Sequence, residues 1–215
     1  MYFNYKLLHI RYITSVMVNV RNQNIWIFGT MLVSALLSLL ASLVLSVEAI
    51  QLAKNPDASL SCSVNEIVNC ASVMKYESAN IFGFPNSFLG LMAEPIVITV
   101  AVAGLVGVRF PRLFMITAQI GYALGLIFAY WLFFLSVFVI GALCPWCLLV
   151  TLSTTGVFMS LLRYNIKENN LYLPANWHKK LLGWVSKDYD KFVTASWLFA
   201  MTVLVLAKYK DGLFG

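Results

Sequence analysis

The chain has 215 residues, 60% of them hydrophobic and 11% charged, with a mean hydropathy of +0.81. That balance excludes an ordinary water-soluble domain and leaves the bilayer as solvent. The net charge of +6 does not point to nucleic acid, because Lys and Arg flank the apolar runs instead of forming one patch.

Residues 1–25 carry Lys6, Arg11 and Arg21 and no acidic residue, and their apolar run is interrupted too often to span. They read as a cytosolic or interfacial leader. The run over 26–47 is too long for a cleaved signal segment and matches the roughly 20 residues of a span. By the same rule, spans are predicted over 87–108, 113–139, 144–162 and, least securely by length, 193–207. "RFPR" (109–112) predicts a tight turn between the second and third, and "IGA" (140–142) a hairpin between the third and fourth. The fold class is therefore an all-α integral membrane protein: a four-helix bundle over 26–162, with a fifth span in 193–215.

Loop charge sets the expected orientation. The leader, "RFPR" and the basic, aromatic linker over 163–192 are rich in Lys and Arg, whereas the loop over 48–86 holds only Lys54 and Lys75. A cytosolic amino terminus puts that loop, and the hairpin leading into Cys144, on the external or periplasmic face. Lys208 and Lys210 run against the rule at the carboxyl end. Trp177, Trp184, Tyr164, Tyr172 and Tyr189 among the linker lysines suit a segment at the headgroup layer or a solvated connection.

All four cysteines fall on that one face. "CSVNEIVNC" carries Cys62 and Cys70 in the loop, and "GALCPWCLLV" carries Cys144 and Cys147 at the start of the fourth span. A Cys-x-x-Cys at a helix start sets two sulfurs on neighbouring turns, where the helix field favours a thiolate. Pro145 in the first turn costs no hydrogen bond. Packing cysteines are the plainer alternative for the helix pair and a static staple for the loop pair, but two pairs on one face argue for thiol exchange between them. Zinc is not expected, since one pair begins a membrane helix where a closed tetrahedral site is hard to build.

The order of loop Cys62, Cys70 and Ser72, then "FGFPNS" (82–87), then "CPWC" (144–147) resembles the vitamin K epoxide reductase family, in particular its bacterial members. The resemblance covers roughly residues 26–162. The other known type of quinone-linked thiol oxidase carries its Cys-x-x-Cys in the first external loop, so motif order favours the epoxide reductase family. What the resemblance implies is a four-helix bundle enclosing a quinone, ubiquinone or menaquinone. Cys147 faces the ring, Cys144 exchanges with Cys70, and Cys62 meets an external partner. It also implies Ser72 and Asn86 near the quinone head, with Asn86 donating to a ring carbonyl. From the residues alone, Asn86 could equally cap its helix and Ser72 serve loop backbone.

Thr151 stands where vertebrate members carry an aromatic residue. Glu94, inside the second span beside Pro95, is read first as a structural carboxyl and stays outside the catalytic set. The chain ends just past the fifth span, so a thioredoxin-fold partner is expected in trans. The expected function is a thiol oxidoreductase of the bacterial inner membrane that passes electrons from that partner to quinone. The alternatives are a quinone or quinone-epoxide reductase fed by external dithiols, and a non-enzymatic scaffold with structural disulfides.

Overall fold

The computed structural model describes the backbone of residues 2–213 and the side chains of residues 24–210. Along the chain run α1 (Tyr2–Lys54), α2 (Cys70–Met74), a 3-10 turn (Glu77–Asn80), α3 (Ser87–Leu105), α4 (Arg112–Phe134) continued by a π-turn (Leu135–Ile140), α5 (Pro145–Lys167), α6 (Ala175–Ser186) and α7 (Tyr189–Leu213). Among the described residues, Asn24–Lys54, Ser87–Leu105, Arg112–Ile140, Pro145–Lys167 and Tyr189–Lys210 are long and apolar enough to cross a membrane. The chain is an all-α, multi-pass membrane protein. Most of the leader expected over 1–25 lies outside the residues whose side chains are described.

The bundle is organised around α1, which packs against α3 on one side and α5 on the other, while α4 rests on α5. The sequence of α1 makes this position available. Ala35, Ser38, Ala41, Ser42 and Ser46 recur at helical spacing and are buried, whereas Leu36, Leu40 and Leu43 point outward. In lipid, apolar bulk gives helices no reason to associate; small residues that let backbones approach do. The partners answer in kind. Gly90 of α3 lies against Ser42, Gly104 of α3 against the Phe28 ring, and Gly156 of α5 against Ser34. Ser46 adds a hydrogen bond to Ser87 at 2.9 Å, fixing the start of α3.

Several boundaries differ from the sequence reading, each for a local reason. The first helix continues to Lys54, so residues 48–54 belong to α1 and not to the loop. The expected "IGA" hairpin is a π-turn that ends on Gly141 in the left-handed region at φ 72°, with Ser136 donating to the Ala142 carbonyl at 2.6 Å. The linker over 163–192 is shorter than expected, because α5 runs on to Lys167 and α7 begins at Tyr189.

The extended end of α5 is tied down by a buried Arg163–Asp190 pair, with the exposed Asp188 beside it. Arg163 donates through Nη1 to both carboxylate oxygens of Asp190 at 2.7 Å and through Nη2 to Asp188 at 2.6 Å. Lys191 and Arg163 together hold the Asp188 carboxyl below the usual aspartate range. Its contribution is therefore present at neutral pH and fades as pH falls through that lowered value. Between these ends α6 forms the amphipathic segment, with Val185 buried and Trp177 exposed.

The seam geometry has a direct test. A methyl group on Gly104 would collide with the Phe28 ring, so Gly104→Ala is expected to cost about 1–3 kcal/mol, read as a lower unfolding temperature in detergent. Gly29→Ala, whose new methyl meets nothing within 4 Å, is expected to leave that temperature unchanged or slightly higher.

Candidate active site

Two backbone hydrogen bonds assemble the cysteines. The Leu143 N–H donates to the Ile67 carbonyl at 2.6 Å and the Asn69 N–H donates to the Leu143 carbonyl at 3.1 Å, forming an isolated parallel bridge between Val68 and Leu143. Each partner is followed at once by a helix cap, Asn69 for α2 and Cys144 for α5, so that Cys70 opens α2 and Cys144 caps α5. The bridge therefore brings two helix amino termini, and their sulfurs, together.

The loop sequence folds to meet this bridge. The Asn65 side chain accepts from the Ile67 and Val68 amides at 3.0 and 2.6 Å, closing a turn. Asn69 then caps α2, accepting from the Ser72 amide at 3.1 Å and from the Ser63 hydroxyl at 3.2 Å. From the other side, Leu143 packs with Val137, Val205 and Tyr209, and the Tyr209 hydroxyl donates to the Val137 carbonyl at 3.1 Å. The fifth membrane helix thus braces the strand-like residue that the loop docks on.

Cys62 and Cys70 form a disulfide, with their Cα atoms 5.6 Å apart. Cys144 and Cys147 are free thiols. The Cys70 and Cys144 sulfurs are 3.3 Å apart, and those of Cys62, Cys70 and Cys144 all lie within 4.8 Å of one another. With Cys62 and Cys70 joined, the trio offers a single thiol and not a set of thiolate ligands. Cys144 Sγ also accepts the Cys147 N–H at 3.3 Å, which places the helix amino-terminal field on that sulfur. Cys70 and Cys144 are buried, packed with Leu45, Leu60 and Trp146.

Cys147 packs against this cluster and also lines a cavity of about 1140 Å³ bounded by α1, α3, α4 and α5. The wall is mostly apolar, with Gly121 and Gly125 of α4 widening one side. Ile96 and Phe114 of that wall are also exposed on the outer face of the bundle. Polar groups are few. Asn86 donates from Nδ2 to the Ser78 carbonyl at 2.7 Å, while its buried Oδ1 has no partner among the described residues. It does not cap α3, where no side-chain cap bond forms. Thr151 lines the cavity with its hydroxyl turned to the Cys147 carbonyl at 3.0 Å. Glu94 lies deeper and accepts from the Tyr122 hydroxyl at 3.0 Å, a partner on α4 and not within the Pro95 turn of its own helix.

Ser72 requires a correction. It is exposed and absent from the cavity wall, because the third position of α2 faces away from the bundle while Cys70 faces in. One residue that the sequence reading passed over is central here. Glu48, near the end of α1, is buried, accepts from the Ser61 amide at 3.0 Å and from the Ser61 hydroxyl, and sets Oε2 3.4 Å from Cys62 Sγ. An acidic residue within the last turns of an apolar span was the available signal.

A sequence model of the Vitamin K epoxide reductase family matches residues 30–162. No curated protein matches the chain.

The geometry fixes the order in which thiols react. Without reductant, two thiols per chain are expected to titrate, and N-ethylmaleimide should modify the half-buried Cys147 before Cys144, which is 2% exposed. Peptide mapping after short exposures gives the order directly.

Proposed function

Because the chain belongs to the vitamin K epoxide reductase family, whose members are membrane thiol oxidoreductases, we propose that it carries electrons from an external thioredoxin-fold protein to a membrane quinone. The observation that carries this reading is the 3.3 Å approach of Cys70 and Cys144, which joins a loop pair to a cavity pair. A scaffold has no use for a free thiol placed against a disulfide.

The chain's own steps follow from the sulfurs. A reduced partner attacks the loop disulfide, and the loop pair becomes a dithiol. Cys70, whose sulfur lies against Cys144, attacks Cys144 of an oxidised Cys144–Cys147 pair and releases Cys147; Cys62 then re-forms its bond to Cys70, and the helix field on Cys144 makes it the leaving thiolate. Cys147 faces the cavity, where the last transfer takes place.

The cavity suits a quinone by the chemistry of its wall. A flat ring with an apolar tail wants a large, mainly apolar space and a few fixed polar groups. Asn86, held by Ser78 through one Nδ2 hydrogen, keeps a second to donate to a ring carbonyl and an Oδ1 to accept from the quinol hydroxyl, and Thr151 lies one turn below Cys147. The exposed residues Ile96 and Phe114 in the wall support access from lipid, where such a molecule dissolves. When bound, the quinone supplies a two-electron acceptor. Ubiquinone and menaquinone both fit this description.

In this reading the site faces the periplasm of a bacterial inner membrane, supported by the Lys and Arg distribution. An oxidising exterior is kept so by draining thiols into the quinone pool, which makes disulfide formation the purpose of the relay.

Reduced, purified protein mixed with a short-chain ubiquinone or menaquinone analogue is expected to yield quinol, followed by absorbance, and Cys147→Ser is expected to yield none. No quinol from the unaltered chain would contradict the proposal. Asn86→Ala is expected to raise the quinone KM by about tenfold, the equivalent of one hydrogen bond.

A further inference from the structure

Glu48 is the one buried carboxylate at the cysteine cluster, and the relay described so far gives it no task. Taking it out of water needs compensation, since an acid at this depth is otherwise replaced by an apolar residue at a gain. Among the described residues no Lys or Arg forms an ion pair with it. Its two oxygens divide their contacts. Oε1 accepts from the Ser61 amide and hydroxyl, and Oε2 lies 3.4 Å from Cys62 Sγ. Cys62 is itself buried, whereas Ser61 is exposed. One end of the carboxylate thus meets a reacting sulfur that water does not reach, and the other end meets a hydroxyl that water does.

We propose that Glu48 is the general base for Cys62, taking its proton during internal thiol exchange and passing it outward by way of Ser61. The proposal rests on the relay reading above and assigns a catalytic residue to one of its steps. After Cys70 has attacked the Cys144–Cys147 disulfide, Cys70 and Cys144 are joined, Cys147 is a thiolate and Cys62 is a thiol. Cys62 then attacks Cys70 Sγ. The Cys62–Cys70 bond forms, the Cys70–Cys144 bond breaks, the electron pair leaves on Cys144, and the Cys62 proton goes to the Glu48 carboxylate. No external oxidant enters this step. The product has the arrangement seen in the structure: a Cys62–Cys70 disulfide beside a free Cys144 whose sulfur accepts the Cys147 amide.

A buried thiol without a base reacts slowly near neutrality, because only the thiolate is a nucleophile and an ordinary cysteine ionises near pH 8.5. The neighbouring titratable groups do not offer a substitute. Cys62 and Cys70 face Glu48 from the loop, and Cys144 and Cys147 belong to α5, with Cys147 within electrostatic reach of the carboxylate. On α1 itself Lys54 is exposed, as are Asp57, Glu66 and Lys75 on the loop side, and the acid of α3, Glu94, lies deeper against Tyr122.

The test is a single turnover without quinone. Full-length protein, oxidised at both pairs, is mixed with one equivalent of dithiothreitol, quenched in acid at intervals, alkylated and mapped by mass spectrometry. Glu48→Gln keeps an acceptor for both Ser61 donors but cannot take a proton. It is expected to accumulate the Cys70–Cys144 species and to resolve it at least about tenfold more slowly at pH 7. As pH rises toward about 8.5, its rate is expected to recover about tenfold per unit, since Cys62 then ionises unaided. Should the Gln variant not fold, Glu48→Asp withdraws the carboxylate by one methylene and is expected to show the same accumulation and the same alkaline recovery. Resolution at the unaltered rate, or a slow rate that alkali does not restore, would overturn the assignment. Because no quinone is present, a chain that makes no quinol can still pass or fail this test, and the two proposals stand or fall separately.

Discussion

One parallel backbone bridge, between Val68 and Leu143, decides whether the four cysteines act together. The two pairs lie more than 70 positions apart in sequence, and neither covalent structure nor helix packing alone brings them into register. The bridge does so because the residue after each partner, Asn69 or Cys144, caps a helix. Cys70 and Cys144 are thereby presented amino terminus to amino terminus, with sulfurs 3.3 Å apart. Much of the surrounding architecture serves this pairing. Asn65 and Asn69 shape the loop from one side, and the π-turn, Gly141 and Tyr209 steady Leu143 from the other.

The second constraint is the cavity. α1 binds α3 and α5 through small residues, so those backbones come close without large side chains between them. α4 is carried by α5, leaving the space that the cavity occupies bounded by all four helices. Polar groups are rationed along its wall, with Asn86 and Cys147 toward the cysteine end and Glu94 with Tyr122 deeper. The far end of the bundle is closed differently. There Arg163, Asp188 and Asp190 tie α5 to the start of α7, and Asn165 donates to Gln119 at 3.1 Å across α4 and α5. One end is built for exchange and the other for anchorage.

The spans were legible because roughly 20 apolar residues have few other uses, and the two cysteine pairs stood out against so apolar a background. Family resemblance was equally legible, since motif order survives without any knowledge of packing; the family match over residues 30–162 falls within the region that carries it, 26–162. What escaped was what depends on contacts across the fold. A π-turn at Leu135–Ile140 leaves no periodicity in six residues. The exposure of Ser72 follows from which face of a five-residue helix meets the bundle, and spacing from Cys70 does not show it. Glu48 was hidden for the opposite reason: a charge near a span boundary reads as the end of the membrane, and only the folded loop reveals that Ser61 and Cys62 turn back onto it. For Asn86 spacing could not exclude a cap, whereas the bond from its amide to Ser78 and not to its own helix does.

The docked loop sets Cys70 against Cys144 and no other thiol. Disulfide mapping of Cys62→Ser under air tests it most directly, because removal of the resolving sulfur leaves Cys70 free to choose its neighbour. The account predicts a Cys70–Cys144 bond as the dominant species. Recovery of Cys70 joined to Cys147, joined to a second chain, or still free would contradict it.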